Sequence, residues 1–154
     1  MTLHFSYGAN MSRAVMRRHA PGARALGAAE LADHRFVITG DGYASVEPAR
    51  AGVVHGVLWR ITPRDRVTLD LWENVEGGLY RTKTLSVRGP DGSVSALVYV
   101  ARPAGEGRPK PGYIELVIKA GREWDFPAMY IRSLEAWMPM RPSGTDVRKI
   151  GEFR

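Results

Sequence analysis

The sequence predicts an α+β fold: a small mixed domain whose curled, barrel-like, mainly antiparallel sheet carries about three to four helices. Three observations lead there. Short β-rich segments recur between glycine- and proline-containing breaks. Two of them, 80–87 and 94–101, are joined by "RGPDGS", in which Pro90-Asp91-Gly92 is turn chemistry for a hairpin. Between strand-like segments, Thr62-Pro63-Arg64-Asp65 opens a helix with a capping hydroxyl, a proline at the first helical position and a carboxylate at the third.

In chain order the strand-like segments are "LHFSY" (3–7), "HRFVI" (34–38), "VVHGVLWR" (53–60), "YRTKTLSV" (80–87) and "VSALVYVA" (94–101). The fourth alternates only in part: Tyr80, Thr82, Thr84 and Ser86 face one way, Arg81, Lys83, Leu85 and Val87 the other. A first helix is expected over 12–19, opened by Asn10 or Ser12 and stopped before Pro21-Gly22. In the second, Val67, Leu71 and Val75 recur at spacings of four with Trp72 beside them, which predicts that face as its core side. A third spans about 126–138, with Tyr130, Leu134 and Trp137 on one stripe. Segment 111–121 has helical spacing at Tyr113, Leu116, Val117 and Ala120 but contains β-branched residues, and it reads as helix.

At 154 residues, with 44% hydrophobic and 25% charged residues, the chain suits one globular domain, taken as 1–139, followed by a polar, basic tail at 140–154. No apolar run reaches the roughly 18 residues of a membrane span, and "MTLHFSY" reads as a first strand instead of a leader. Cysteine is absent, which excludes disulfides, thiolate metal sites and cysteine nucleophiles. A cytoplasmic protein without membrane partner is therefore expected. The net charge of +6 is spread along the chain, so no nucleic-acid partner is expected; a basic nucleic-acid-binding module would show itself by steep salt dependence. The histidines, His4, His19, His34 and His55, show no metal-ligand spacing and read as surface or structural residues. No metal or cofactor is expected.

Two features point to chemistry. Stepping about 100° per residue places Glu73 just past Leu69, at the edge of the second helix's apolar face and close to the helix end. A carboxylate there can line a cleft and be tuned as a proton acceptor by apolar neighbours. It can equally be a rim glutamate paired with Arg66 or another arginine. The second feature is "YGAN" (7–10), between the first strand and first helix. Gly8 permits a turn closed to other residues, Asn10 can cap, and backbone N–H groups there suit a carboxylate or phosphate. Most such turns bind nothing.

The order of motifs joins the two: "YGAN", "GYASVEP" (42–48), "HGVLWRI" (55–61), "LDLWENVEGGLYR" (69–81), "VYVA" (98–101), "PKPGY" (109–113) and "FPAMY" (126–130). From about residue 3 to 137 this order resembles the γ-glutamylcyclotransferase-like (AIG2-like) family. The resemblance implies a small α/β domain with a cavity at one end of a barrel-like sheet. It implies that Tyr7, Gly8, Ala9 and Asn10 hold the carboxylate of a γ-glutamyl group, that Glu73 is the acid/base, and that Tyr80 and Tyr113 line the pocket. It implies cyclisation of a γ-glutamyl amide or dipeptide to 5-oxoproline with release of an amine or amino acid, without a cofactor, in a monomer or homodimer. Two residues depart from the family pattern. Ala9 stands where a serine is usual, and Asn74 where a glycine follows the glutamate; asparagine tolerates a left-handed helix end but adds a side chain near the site. The rival readings are a different leaving group, such as a γ-glutamyl amine or γ-glutamyl-protected intermediate, and a catalytically silent member that binds a small carboxylate or a protein partner.

Overall fold

The computed structural model describes residues 2–139. The tail expected at 140–154 lies outside the described residues. Five strands, β1 (Thr2–Ser6), β2 (Arg24–Ile38), β3 (Ala44–Ile61), β4 (Tyr80–Gly89) and β5 (Gly92–Ala101), close into a barrel in the order β1-β3-β2-β4-β5. All pairings are antiparallel except β1 with β5, which meet in parallel at His4 and Leu97. Four helices are attached: α1 (Arg13–His19), α2 (Pro63–Trp72), α3 (Tyr113–Glu123) and α4 (Ala128–Glu135). A short 3-10 turn, Ala9–Met11, precedes α1. The expected α+β barrel is the observed one, and the helix expected at 111–121 is α3, Tyr113–Glu123. No helix among the described residues is long and apolar enough to cross a membrane.

The β4–β5 hairpin pairs Gly89 with Gly92 around Pro90-Asp91, and Gly92 takes φ 111°, as the turn chemistry requires. The β2–β3 hairpin is far longer than the apolar runs at 34–38 and 53–60 suggest: 15 and 18 residues. The added stretches, 24–33 and 44–52, are rich in alanine and carry little β-branched signal. Register shifts at Ala25/Gly27 and Ala32/His34, with Asp33 at φ 56°, let these long strands bend around the barrel. Where β1 crosses β3, Gly56 admits close approach, since a Cβ there would meet the Ser6 carbonyl at 2.3 Å. The core includes Phe5, Leu31, Ile38, Ile61, Leu69 and Ile114, and α3 packs its buried face on it.

Helix α2 positions the site, and its core face differs from the expected one. Val67 is 61% exposed and Leu71 70% exposed. The buried positions are Asp65, Leu69 and Glu73, one turn apart each. Asp65 can be buried because both carboxylate oxygens have donors. It completes the capping box with Thr62, accepting the Thr62 N–H at 3.0 Å, and it also accepts the Gly22 N–H at 3.1 Å. That second bond ties the start of α2 to the segment after α1 and aims the helix end at the barrel mouth.

Candidate active site

At that mouth β1 runs into the Tyr7–Asn10 loop, α2 ends at Glu73, β4 begins at Tyr80 and α3 begins at Tyr113. Together with His4, Ala44 and Tyr99 these residues line a cavity of about 30 Å³. All seven site residues expected from the sequence, Tyr7, Gly8, Ala9, Asn10, Glu73, Tyr80 and Tyr113, stand on its wall.

Glu73 is the residue that caps the C-terminal end of α2, its N–H bonded to the Leu69 carbonyl at 2.8 Å. It is 5% exposed, so it is a buried carboxylate and not the rim glutamate of the alternative reading. Asn10 donates to Glu73 Oε1 from Nδ2 at 3.5 Å, while Asn10 Oδ1 lies 2.9 Å from His19 Nδ1. With Oδ1 as acceptor, His19 carries its proton on Nδ1, so donation runs from His19 to Asn10 to Glu73. His19 is fully buried and stacks on Trp72, centroids 3.9 Å apart. Trp72 precedes Glu73, so the imidazole is clamped to the same helix end whose carboxylate it helps orient. Capping of α1 falls to Ser12, whose Oγ accepts the Val15 N–H; this leaves Asn10 to face the cavity.

Gly8 has φ −115°, so a backbone turn closed to other residues is not its reason, contrary to the sequence-based expectation. A Cβ at Gly8 would stand 2.6 Å from the Tyr113 hydroxyl oxygen, and that close approach excludes a side chain. Asn74 does take the left-handed conformation, φ 49°, but its side chain turns away from the cavity. It is exposed and accepts the Gly77 N–H at 3.2 Å, closing its own turn.

Tyrosines form much of the wall. Tyr80 donates to the Ala44 carbonyl at 2.6 Å, and the Ala44 N–H donates to the Tyr113 hydroxyl at 3.3 Å, so the two rings hold the backbone of one residue from both sides. Tyr7 donates to the Tyr99 carbonyl, and Tyr99 donates to Asp70 Oδ1 at 2.6 Å. Burial pushes the Tyr7 hydroxyl well above its ordinary range, and the charge of Glu73 adds to this. Tyr113 rises for the same first reason, against backbone hydrogen bonds from Ala44. Tyr99 is raised by burial and by Asp70. The hydroxyls of Tyr7, Tyr99 and Tyr113 are thus held in their neutral form.

His4 and His19 were not singled out by the sequence, and both are buried at the site. Tyr99 and Ala44 likewise carry no signal of their own within "VYVA" and "GYASVEP". His4 Nδ1 lies 3.0 Å from the Leu97 carbonyl and its ring meets Tyr99 edge-on at 5.4 Å. Burial lowers its pKa from 6.5 to about 4, with Arg66 contributing in the same direction. Between those values the unfolded chain binds a proton at His4 that the folded chain does not. Stability must therefore fall as pH drops from about 6.5 to 4, with His4's share about 3 kcal/mol. Urea denaturation across this pH range should show that slope, and His4→Gln should remove its share.

A small closed α+β barrel with a buried carboxylate in a tyrosine-lined end cavity is the class of protein that fold and site define. The chain belongs to the AIG2-like family, whose profile matches residues 53–134, more than half its length, from within β3 to α4. Among solved structures, one described as gamma-glutamyl cyclotransferase superposes with a TM-score of 0.87 at 22% identity, covering 97% of this chain and 95% of that one. Protein loc79017 from Homo sapiens gives 0.86 at 22% identity with the same coverage. YkqA from Bacillus subtilis gives 0.76 at 21% identity over 93% of this chain, which spans 56% of YkqA. At these identities the likeness establishes the fold. No curated protein matches the sequence.

Proposed function

We propose that the protein cyclises γ-glutamyl amides or dipeptides to 5-oxoproline, with Glu73 as the acid/base. The observation that carries this reading is the buried Glu73 carboxylate facing the Tyr7–Asn10 loop across one cavity. The resemblance of that loop and of Glu73 to the family's motifs supports it, as does the fold shared with the structure described as gamma-glutamyl cyclotransferase.

In this mechanism the loop fixes the substrate's α-carboxylate and Tyr80 and Tyr113 shape the walls. The α-nitrogen attacks the γ-carbonyl carbon of the same molecule. The new carbon–nitrogen bond forms, the bond to the leaving nitrogen breaks, and two of the three ammonium protons end on the departing amine. Holding the reacting atoms together can lower such a barrier by about 7–11 kcal/mol. The proton is the harder part. A reference glutamate is about 3.5 pK units less basic than an α-amine, about 5 kcal/mol uphill. The buried carboxylate stands on the same cavity wall as the tyrosines, so the transfer runs over a short, positioned path, and that positioning offsets the cost. Glu73 then returns the proton to the leaving nitrogen.

The test is a panel of γ-glutamyl dipeptides and γ-glutamyl amines offered to purified protein, with 5-oxoproline as readout. Release of 5-oxoproline from some members, and not from α-linked isomers, is the expected result, and the preferred member identifies the leaving group. Binding of panel members without any product would overturn the reading in favour of a silent carboxylate binder.

A further inference from the structure

The mechanism above leaves one buried polar group on the cavity wall without a task. His4 lines the cavity, is 2% exposed, and its Nε2 has no hydrogen-bond partner among the described residues. An unsatisfied buried acceptor or donor is costly, so this atom calls for an explanation. Its chemical character is settled by its other end. Nδ1 faces the Leu97 carbonyl, which can only accept, so Nδ1 holds the hydrogen and Nε2 presents a lone pair. The neutral ring persists because burial and Arg66 oppose protonation.

A lone pair rejects carboxylate and phosphate oxygens and asks for an N–H or O–H donor. The same wall carries the Glu73 carboxylate, a second acceptor. An ammonium group carries three hydrogens and can serve both acceptors at once, whereas a secondary amide N–H offers a single hydrogen. The enclosed space also fits. About 30 Å³ admits one or two water-sized groups, enough for an ammonium at the base of a pocket from which the rest of an amino acid extends outward. From this geometry we infer that His4 Nε2 is a substrate-binding acceptor for the α-ammonium of the ligand, working beside Glu73. The inference deepens the proposed function and rests on it for the identity of the amino group. It makes the site selective for α-amino acids over otherwise identical acids, and it leaves the α-nitrogen oriented by one base that keeps no proton and one that takes it.

The test is a binding comparison that involves no turnover. 5-Hydroxynorvaline carries the α-ammonium and α-carboxylate of a glutamyl group but has an alcohol in place of the γ-acyl carbon. 5-Hydroxypentanoate is the same molecule without the amino group. By titration calorimetry, unsubstituted protein should prefer 5-hydroxynorvaline. His4→Phe should weaken 5-hydroxynorvaline about tenfold or more, as expected for a hydrogen bond to a charged group, and change 5-hydroxypentanoate by less than about twofold. His4→Gln, whose amide oxygen reaches about as far as Nε2, should restore part of the preference. If His4→Phe fails to fold, His4→Asn carries the same comparison, since it keeps a donor for Leu97 and has no acceptor at the depth of Nε2. Equal weakening of both compounds, no weakening of either, or no binding of either by the unsubstituted protein overturns the inference. Its failure is separable from that of the cyclisation reading. A protein that discriminates through His4 yet releases no 5-oxoproline sinks only the cyclisation. A protein that releases 5-oxoproline but whose His4→Phe variant retains the preference sinks only the role of His4.

Discussion

Glu73→Gln should lower 5-oxoproline release by about 10²- to 10⁴-fold, the range that loss of a positioned acid/base produces. Glutamine matches glutamate in shape, so the cap of α2 and the fit beside Leu69 survive, and the thermal midpoint should move by no more than a few degrees. Initial rates on the best panel substrate, read with a melting curve, check both parts. The reason for so large an effect is that the amide cannot accept the α-nitrogen's proton, while the rest of the site keeps its shape. A folded variant with near-normal release would mean that the proton leaves by another route and that Glu73 is not the base.

Gly8→Ala is expected to raise KM about tenfold or more, through a named collision. The new methyl group would stand 2.6 Å from the Tyr113 oxygen and 3.4 Å from the Ala44 Cβ. Tyr113 is fully buried and receives the Ala44 N–H, so it has little room to retreat. Overpacking of this kind costs about 1–3 kcal/mol, and the loop is the part free to shift. A shifted loop misplaces the carboxylate grip, which appears in KM before it appears in kcat. The second-site variant Tyr113→Phe deletes the oxygen that the methyl group meets. The double variant should therefore recover KM relative to Gly8→Ala alone, a non-additive pair in a double-mutant cycle. Strict additivity would show that the hydroxyl is not what keeps position 8 a glycine.

Much of this architecture can be read from single residues. Pro90-Asp91-Gly92 announces the β4–β5 hairpin, and Thr62 to Asp65 announces the start of α2, because both depend on local backbone chemistry. The core face of α2 cannot be read that way. Val67 and Leu71 are apolar yet exposed, while Asp65 and Glu73 are charged yet buried. Hydrophobic periodicity assumes that carboxylates seek water. Here Asp65 finds the N–H groups of Thr62 and Gly22, and Asn10 donates to Glu73, and none of these partners follows from helical spacing. The remaining stretches of β2 and β3 were hidden for a different reason: alanine- and glycine-rich 24–32 is a strand because it pairs with 53–60, and 44–48 because it pairs with 34–38.

The site residues were legible as a set of motifs, but their supports were not. His4 sits between Leu3 and Phe5, and in a half-exposed strand alternation would send it to solvent. Strand β1 instead buries consecutive residues, His4, Phe5 and Ser6, between β3 and β5. His19 lies at the end of α1 among Arg17 and Arg18, a setting that reads as a basic helix terminus. Its partner Trp72 is more than fifty positions away, and only the packed structure brings the two rings together.

The parallel meeting of β1 with β5 has a consequence for synthesis on the ribosome. His4 and the Tyr7–Asn10 loop are made about a hundred residues before their neighbours Leu97, Tyr99 and Tyr113. A nascent chain that stops short of β5 has a first strand with one side open and no wall for the cavity. The cavity that the Tyr7–Asn10 loop lines is therefore among the last parts of the fold to acquire its shape, and on the proposed function a chain truncated before α3 should show neither ligand binding nor 5-oxoproline release.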